Sequence, residues 1–162
     1  MNDGKIIIHG NAGDALGYAM RGGKIFVKGD TGYRTGIHMK EYKDKKPVIV
    51  VGGSTGSFLG EYIAGGLIIV LGLDTEDIPV GDFTGTGMHG GEIFIRSNKA
   101  PKSLPKQVSM SIADESDMSK IKDILEEYSG IFGVDINEIL GKTFYHLKPN
   151  AKNPYKQLYT EN

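Results

Sequence analysis

The chain of 162 residues is long enough for one domain with its own hydrophobic core, or for one domain with an appendage. Its 19 basic and 20 acidic side chains give a formal net charge of −1, which provides no overall attraction to nucleic acid or to an anionic membrane. Because the sequence contains no cysteine, the chain cannot itself supply a disulfide, a thiolate zinc site or the thiolates of an iron–sulfur cluster.

The start of the sequence and its apolar segments indicate a cytoplasmic protein. The first residues, Met-Asn-Asp-Gly-Lys, lack the basic and then apolar pattern of an export signal. The longest apolar run, residues 67–71, is far shorter than a membrane span. We therefore expect a soluble protein that neither crosses a membrane nor binds nucleic acid.

Glycine divides the chain into two parts. Of the 24 glycines, 21 lie between Gly4 and Gly91. A stretch rich in proline, lysine and serine, residues 97–106, separates this part from a charged and mixed remainder. Such a change in composition predicts a glycine-repeat domain over residues 1–97 and an appendage over residues 98–162.

The glycines recur as an internal repeat. Gly10 and Gly29 open successive units 19 residues apart, and Gly53 opens a third unit after the charged insertion at residues 40–46. In that second unit, Lys46-Pro47 stands where the other units have two glycines. Agreement at many fixed spacings is a strong sign of a repeat architecture. The glycines at matching positions are Gly13, Gly17, Gly22, Gly23, Gly32, Gly36, Gly56, Gly60, Gly65, Gly66, Gly81, Gly85, Gly90 and Gly91.

Each unit contains one short apolar β segment between glycines and is too short to hold a crossover helix. Successive units can therefore pair only by stacking on one another. The sequence predicts an all-β fold, a right-handed parallel β-helix of about four to five coils of roughly 19–25 residues, with a small α-helical C-terminal appendage. In such a fold, glycine allows the chain to turn corners and neighbouring coils to approach.

The fixed spacing also predicts which side chains lie in one row of the core. A strand position in one unit should lie beside the same position in the next unit. The predicted inward rows are Ile6/Ile25/Ile49/Ile68/Ile93, Ile8/Val27/Val51/Val70/Ile95, Met20/Met39/Ile63/Met88 and Leu16/Thr35/Leu59/Thr84.

One apolar row is predicted to face outward. Alternation places a further apolar residue between the two inward positions of each strand, on the side that would otherwise meet solvent. Either the C-terminal segment of this chain or a partner protein must cover the row, and the row is therefore a candidate packing surface or interface. Its residues are Ile7, Phe26, Val50, Ile69 and Phe94.

The first part of the appendage predicts a strand and a helix. Apolar residues alternate through residues 108–112, as in a strand with one apolar face. Asp114 and Asp117 predict the start of a helix, because both can accept hydrogen bonds from its free backbone N–H groups. An apolar stripe over residues 121–128 follows, and Gly130 is predicted to end this helix.

The last part of the appendage predicts a shorter helix and an extended tail. Asp135 and Glu138 resemble a capping box, and Gly141 would end the helix that they begin. Residues 142–162 combine lysines and aromatic residues with two prolines and little periodicity. We expect this tail to lie extended over a protein surface.

The motifs that suggest chemistry are weak. Residues 85–90 have the spacing of a dinucleotide-binding loop, but a strand follows where that loop requires a helix. Four scattered histidines, His9, His38, His89 and His146, are expected at the surface rather than in a metal site. The sequence therefore assigns no catalytic residue, no metal ligand and no cofactor-binding residue to this chain.

Two enzymatic or ligand-binding alternatives remain open. The first is a small-molecule-binding or catalytic protein that uses the turn at residues 82–89. The second is an acyltransferase of the left-handed β-helix type, whose hexapeptide repeat would give coils of about 18 residues. The spacing of 19 residues between Gly10 and Gly29 disfavours the second alternative.

Four segments of the chain resemble one known family. Residues 13–27, 47–56, 60–66 and 85–91 are similar to the GXGXG domain at the C-terminal end of the glutamate synthase large subunit. The resemblance covers residues 4–97. The ending, with Phe144, Tyr155 and Tyr159, resembles the stand-alone form of that domain in glutamate synthases that consist of separate chains.

The resemblance implies a structural subunit that functions in glutamate biosynthesis and ammonia assimilation. Glutamate synthase converts glutamine and 2-oxoglutarate to glutamate, and in that family the GXGXG domain packs between the catalytic domains. The implied partners are a glutaminase-type amidotransferase subunit and a synthase subunit that carries FMN and an iron–sulfur cluster, so this chain itself would bind no cofactor. A homo-oligomer is compatible with this role.

Similar glycine repeats also occur in subunits of two other enzymes, formylmethanofuran dehydrogenase and N-methylglutamate synthase. The parent complex could therefore be one of these instead.

Overall fold

The computed structural model describes residues 1–150 and contains seven strands and two helices within them. The strands are β1 (Lys5–Ile8), β2 (Lys24–Val27), β3 (Val48–Val51), β4 (Ala64–Val70), β5 (Gly90–Arg96), β6 (Val108–Ile112) and β7 (Phe144–Pro149). The helices are α1 (Glu115–Phe132) and α2 (Ile136–Ile139), between β6 and β7. All seven strands form one sheet in the order β1-β2-β3-β4-β5-β7-β6.

The first five strands are parallel, and their register follows the glycine repeat. Ile49 of β3 lies between Ile25 of β2 and Ile68 of β4, and Ile93 of β5 lies beside Ile68. Ile6 of β1 lies beside Ile25 at the edge of the sheet. The register predicted from the glycine spacing is therefore confirmed.

The predicted right-handed parallel β-helix is wrong. Each repeat contributes one strand to a single open sheet, and the remainder of the repeat consists of turns rather than a second or third strand. Left-handed backbone angles, such as φ 58° at Ala15 and 53° at Ala19, prevent these segments from extending as strands. The sheet is also mixed, because β7 pairs with both β5 and β6 in the antiparallel sense.

Each face of the sheet buries its own apolar cluster. On one face, the strand rows at Ile49 and Val51 pack against turn residues that include Met39, Leu59 and Ile63. On the other face, the sheet packs against α1. Most of the predicted inward rows are buried, whereas Ile6 on the edge strand is 45% exposed.

Helix α1 begins where the sequence predicts but ends later. The Asp114 carboxylate accepts a hydrogen bond from the Asp117 N–H, and the Asp117 carboxylate accepts one from the Asp114 N–H. The prediction that Gly130 ends the helix is wrong, because α1 continues to Phe132. Gly133, with φ 69°, is the C-cap and donates its N–H to the Ser129 carbonyl. A left-handed C-cap glycine satisfies carbonyl groups at the helix end.

The remaining predictions for the appendage have mixed outcomes. Strand β6 and the short helix α2, capped by Asp135, lie where they were predicted. The extended tail predicted from residue 142 is wrong at its start, because Phe144–Pro149 forms β7 between β5 and β6. The rest of the predicted tail, with Tyr155 and Tyr159, lies outside the described residues.

The boundary between residues 97 and 98 stays a prediction. Strands from both sides of it pair within the same sheet.

Neither helix of the described part of the chain has the length and apolar character that a membrane span requires.

Candidate functional site

Helix α1 covers most of the apolar row that was predicted to face outward. Phe26, Val50, Ile69 and Phe94 are fully buried in a cluster with side chains of α1. Ile7, on the edge strand, remains 40% exposed. The cover over these four residues is thus intramolecular, and an interface role for the row stays a prediction.

Opposite charges at its two ends fix the direction in which α1 lies on the sheet. Near the C-terminal end of the helix, Glu127 accepts a hydrogen bond of 2.8 Å from Lys24 of β2 and also pairs with Lys5 of β1. Nearer the N-terminal end, Lys120 lies 3.7 Å from Glu92 of β5. A reversed helix would bring like charges together, so these contacts select one orientation.

Burial and the two lysines act on Glu127 in opposite directions. Burial raises the pKa of this carboxyl group because it disfavours the charged form. Hydrogen bonds from Lys24 and Lys5 outweigh that effect, so the pKa of Glu127 lies below its ordinary value of 4.5.

A buried histidine joins α1, β5 and β7. His146 Nε2 lies 2.7 Å from Glu92 Oε1, and Nδ1 lies 3.5 Å from Asp117 Oδ1. The imidazole stacks on the Phe94 ring, with the ring centroids 4.3 Å apart. The expectation that the histidines lie at the surface is therefore wrong for His146, whose side chain is 2% exposed. The cluster therefore links helix α1 to strands β5 and β7.

The Asp117 carboxylate serves both the helix cap and this cluster. The hydrogen bond from the Asp114 backbone N–H is the main reason that the pKa of Asp117 lies below its usual value. The nearby His146 imidazole acts in the same direction when it is protonated.

Most of the predicted repeat glycines have a local reason to lack a side chain. At Gly32, an added Cβ would overlap the Asp14 carboxylate, whose Oδ1 accepts a hydrogen bond of 2.8 Å from the Tyr33 N–H. At Gly13, an added Cβ would meet open space. The predicted glycines with positive φ are Gly17, Gly23, Gly36, Gly60, Gly66, Gly85 and Gly91. Those whose added Cβ would crowd the neighbouring repeat or N-terminal backbone are Gly22, Gly32, Gly56, Gly65, Gly81 and Gly90.

The turn at residues 82–89, the alternative ligand site, does not bring its polar side chains together. Asp82 and His89 are exposed, and neither side chain hydrogen-bonds to a described residue. Within residues 1–150, no group of three or more histidine and acidic side chains is placed to hold a metal ion.

Sequence reasoning missed a set of side chains at two fixed positions of the repeat. Arg34, Phe58 and Phe83 lie two residues after the repeat glycines Gly32, Gly56 and Gly81, and His38 and Tyr62 lie six residues after Gly32 and Gly56. Their constant spacing within the repeat is visible in the sequence. Nothing in the sequence indicates that these residues adopt left-handed backbone angles. The structure gives them φ angles of 57° to 62°.

The glycine spacing, the register that it sets and the close approach at Gly32 are features that can be compared with known sequence families. The profile of the GXGXG motif matches residues 1–152. The chain belongs to the GXGXG motif family. This domain is the one found in the large subunit of glutamate synthase.

A relative of this GXGXG chain is known from an archaeon. An uncharacterized protein of Methanocaldococcus jannaschii is 45% identical over 138 residues, which cover 81% of this chain and 53% of that protein. The GXGXG chain thus spans about half the length of this relative, whose name states no activity.

Proposed function

We propose that this chain is a non-catalytic scaffold subunit of a split glutamate synthase. It would hold a glutaminase-type amidotransferase subunit and an FMN and iron–sulfur synthase subunit in a fixed relative position. The observation that carries the proposal is the family match over residues 1–152, because the same domain occurs in the glutamate synthase large subunit.

The hydrogen bonding between repeats supports a scaffold role. The Asp30 carboxylate accepts a hydrogen bond of 2.8 Å from the Ser54 N–H in the next repeat, as Asp14 does from Tyr33. Backbone bonds between turns, such as Gly53 N–H to the Gly29 carbonyl, extend the register beyond the strands. A body with strands and turns both held in register resists deformation, as a subunit that positions two enzymes must.

The buried Arg96 extends this rigidity to the C-terminal elements. Its guanidinium donates hydrogen bonds of 2.7 to 3.0 Å to the carbonyl oxygens of Leu71, Glu138 and Ile139. Burial lowers the pKa of Arg96 from its high ordinary value, but the group remains a cation. One side chain therefore connects β5, the end of β4 and helix α2.

The proposed contribution of this chain to the reaction is geometric. Ammonia released from glutamine by the glutaminase subunit reaches the synthase subunit efficiently only if the two sites stay in a fixed arrangement. The chemistry of glutamine hydrolysis and of reductive glutamate formation belongs to the partner subunits, which also carry FMN and the iron–sulfur cluster. The chain described here contributes surfaces and their spacing.

Affinity purification from the native source tests this proposal. An affinity-tagged copy of the chain, isolated under gentle conditions, should bring down a glutaminase-like chain and an FMN-containing chain in equal amounts. Recovery of the tagged chain alone would contradict the scaffold role. Recovery with the subunits of formylmethanofuran dehydrogenase or N-methylglutamate synthase would transfer the scaffold role to that complex.

A further inference from the structure

Two columns of left-handed residues line the turns of the repeat. One column contains Arg34, Phe58 and Phe83, and the other contains His38 and Tyr62. Each of these five residues but Phe83 donates its backbone N–H to a carbonyl of the following repeat, for example Phe58 to Asp82 and Tyr62 to Thr86. The register that aligns the strands therefore also aligns the residues of each column.

Large side chains at these positions are not required by the backbone. A left-handed residue with a Cβ is less stable than glycine in the same conformation. Gly87 occupies the position in the fourth repeat that corresponds to Tyr62, so glycine fits there. The first repeat has the small residues Ala15 and Ala19 at the two positions. Rings at strained positions point to a function for the side chains.

The side chains of the columns form a continuous exposed surface. The His38 ring stacks on Tyr62 at 5.1 Å, and the Phe58 ring stacks on Phe83 at 5.4 Å. Arg34 lies 4.6 Å above the Phe58 ring and pairs with Glu61, the neighbour of Tyr62, so it connects the two columns. Tyr62 and Phe83 remain 45% and 49% exposed.

Tyr18 and Arg21 extend this surface in the first repeat. Tyr18 is 63% exposed and meets the His38 ring edge-on, at 6.1 Å between centroids. Arg21 Nη1 donates to the carbonyl oxygens of Ala19 and His38, at 2.8 and 3.0 Å, which holds the guanidinium in place. Within residues 1–150 this guanidinium has no ion-pair partner. A fixed guanidinium with free N–H groups is suited to bind a carboxylate in two-point contact.

We propose that the aromatic turn face, defined as Tyr18, Arg21, His38, Tyr62, Phe58 and Phe83, docks one of the partner subunits of the complex. The partner surface presents a carboxylate side chain to Arg21 and apolar side chains to the exposed rings. Exposed aromatic residues beside arginine have the composition of energetically dominant interface residues. This inference rests on the proposed scaffold function and assigns a surface to it.

The test compares ring-removing variants with strain-matched controls. The variants Tyr62→Gly, Phe83→Gly and Arg21→Gln remove an exposed ring or the free cation. The controls Ala15→Gly and Ala19→Gly place glycine in the same two columns without removing a ring. Each variant is tagged and expressed in the native host in place of the natural chain, and the stoichiometry of the co-purified subunits is measured by mass photometry.

The expected result is that each ring or arginine variant reduces the occupancy of one co-purified partner by about tenfold or more, and that both alanine controls retain it. Circular dichroism and the thermal unfolding midpoint verify that each variant is folded. Partner occupancy that is equal in wild type, variants and controls would overturn the docking surface and leave the scaffold function standing. A wild-type chain that recovers no partner would overturn both.

Discussion

The Nε2 atom of His146 lies 2.7 Å from the Oε1 atom of Glu92, across the boundary between parallel β5 and antiparallel β7. The imidazole is buried, whereas the carboxylate is 22% exposed and also attracts Lys120 of α1. This single contact therefore links the sheet of the repeat, the closing strand β7 and the covering helix.

Replacement of Glu92 should destabilise the protein. In Glu92→Ala, the buried His146 ring loses its hydrogen-bond partner, and an unsatisfied buried polar group costs about 1–3 kcal/mol. Urea unfolding followed by circular dichroism should show a loss of this size. Glu126→Ala on the exposed side of α1 is the matched control and should change the free energy of unfolding by less than about 0.5 kcal/mol. Equal effects of the two substitutions would contradict the role given to this contact.

Two glycines of the repeat should respond differently to alanine. At Gly32 a methyl group would overlap the Asp14 carboxylate that holds the Tyr33 N–H, so Gly32→Ala should lower the free energy of unfolding by about 1–3 kcal/mol. At Gly13 the methyl group would meet open space, and Gly13→Ala should be neutral or slightly stabilising. The measurement is the urea unfolding midpoint of both variants. A larger loss for Gly13→Ala would show that the close approach at Gly32 is misassigned.

Glu127 should make stability depend on pH in the acidic range. Its pKa is lower in the folded chain than its ordinary value of 4.5, so the stabilisation is fully present above that value and is lost as the pH falls through the lower, folded value. Glu127→Gln should therefore be less stable than wild type at pH 7, by at most about 1 kcal/mol, because the group is partly exposed.

Thermal unfolding of wild type and Glu127→Gln between pH 3 and pH 7 measures this effect. The difference between the two proteins should shrink as the pH falls below the ordinary pKa of the carboxyl group. A difference that stays constant across the range would mean that the ion pairs with Lys5 and Lys24 do not stabilise the fold.

The hydroxyl group of Tyr128 should be dispensable. It is buried between α1 and the sheet without a hydrogen bond to a described residue, and burial raises the pKa of Tyr128 to about 12, with a smaller contribution from Asp74. Tyr128→Phe keeps the ring and should leave the free energy of unfolding unchanged or raise it by up to about 1 kcal/mol.

Truncation of the same residue provides the comparison. Tyr128→Ala should lose about 3–5 kcal/mol, because it removes a buried ring from the cluster between helix and sheet. Urea unfolding of both variants tests the pair. A loss above about 1 kcal/mol in Tyr128→Phe would show that the hydroxyl group makes a stabilising contact.

The parts of the fold that depend on the regular spacing of residues could be predicted from the sequence. The fixed offset between Ile25, Ile49 and Ile68 gives the strand register directly, because parallel strands of equal repeats pair at equal positions. Local chemistry was equally informative at Asp114 and Asp117, where the capping hydrogen bonds depend only on neighbouring residues.

The features that depend on tertiary packing could not be predicted in the same way. Gly130 and Gly133 are both able to end a helix, and the choice of Gly133 depends on how far α1 must extend across the sheet. Strand β7 contains a proline and the polar residues His146 and Lys148, so its pattern resembles a tail until Glu92 is known to face His146.

The turns account for the error in fold class. Glycine marks some left-handed positions, but Phe58 and Tyr62 adopt the same conformation without any sign of it in the sequence. Stacked units with one β segment each predict the coils of a β-helix, but the stretches between the strands are turns and the strands form one mixed sheet.

The scaffold function is tested most directly by reconstitution of glutamine-dependent glutamate synthesis. Purified glutaminase-type and synthase subunits are mixed with and without this chain, and the glutamate formed is compared with the ammonia released into solution. The scaffold role predicts that the chain raises the ratio of glutamate to free ammonia while glutaminase activity and ammonia-dependent synthesis stay unchanged. The same ratio with and without the chain would contradict it.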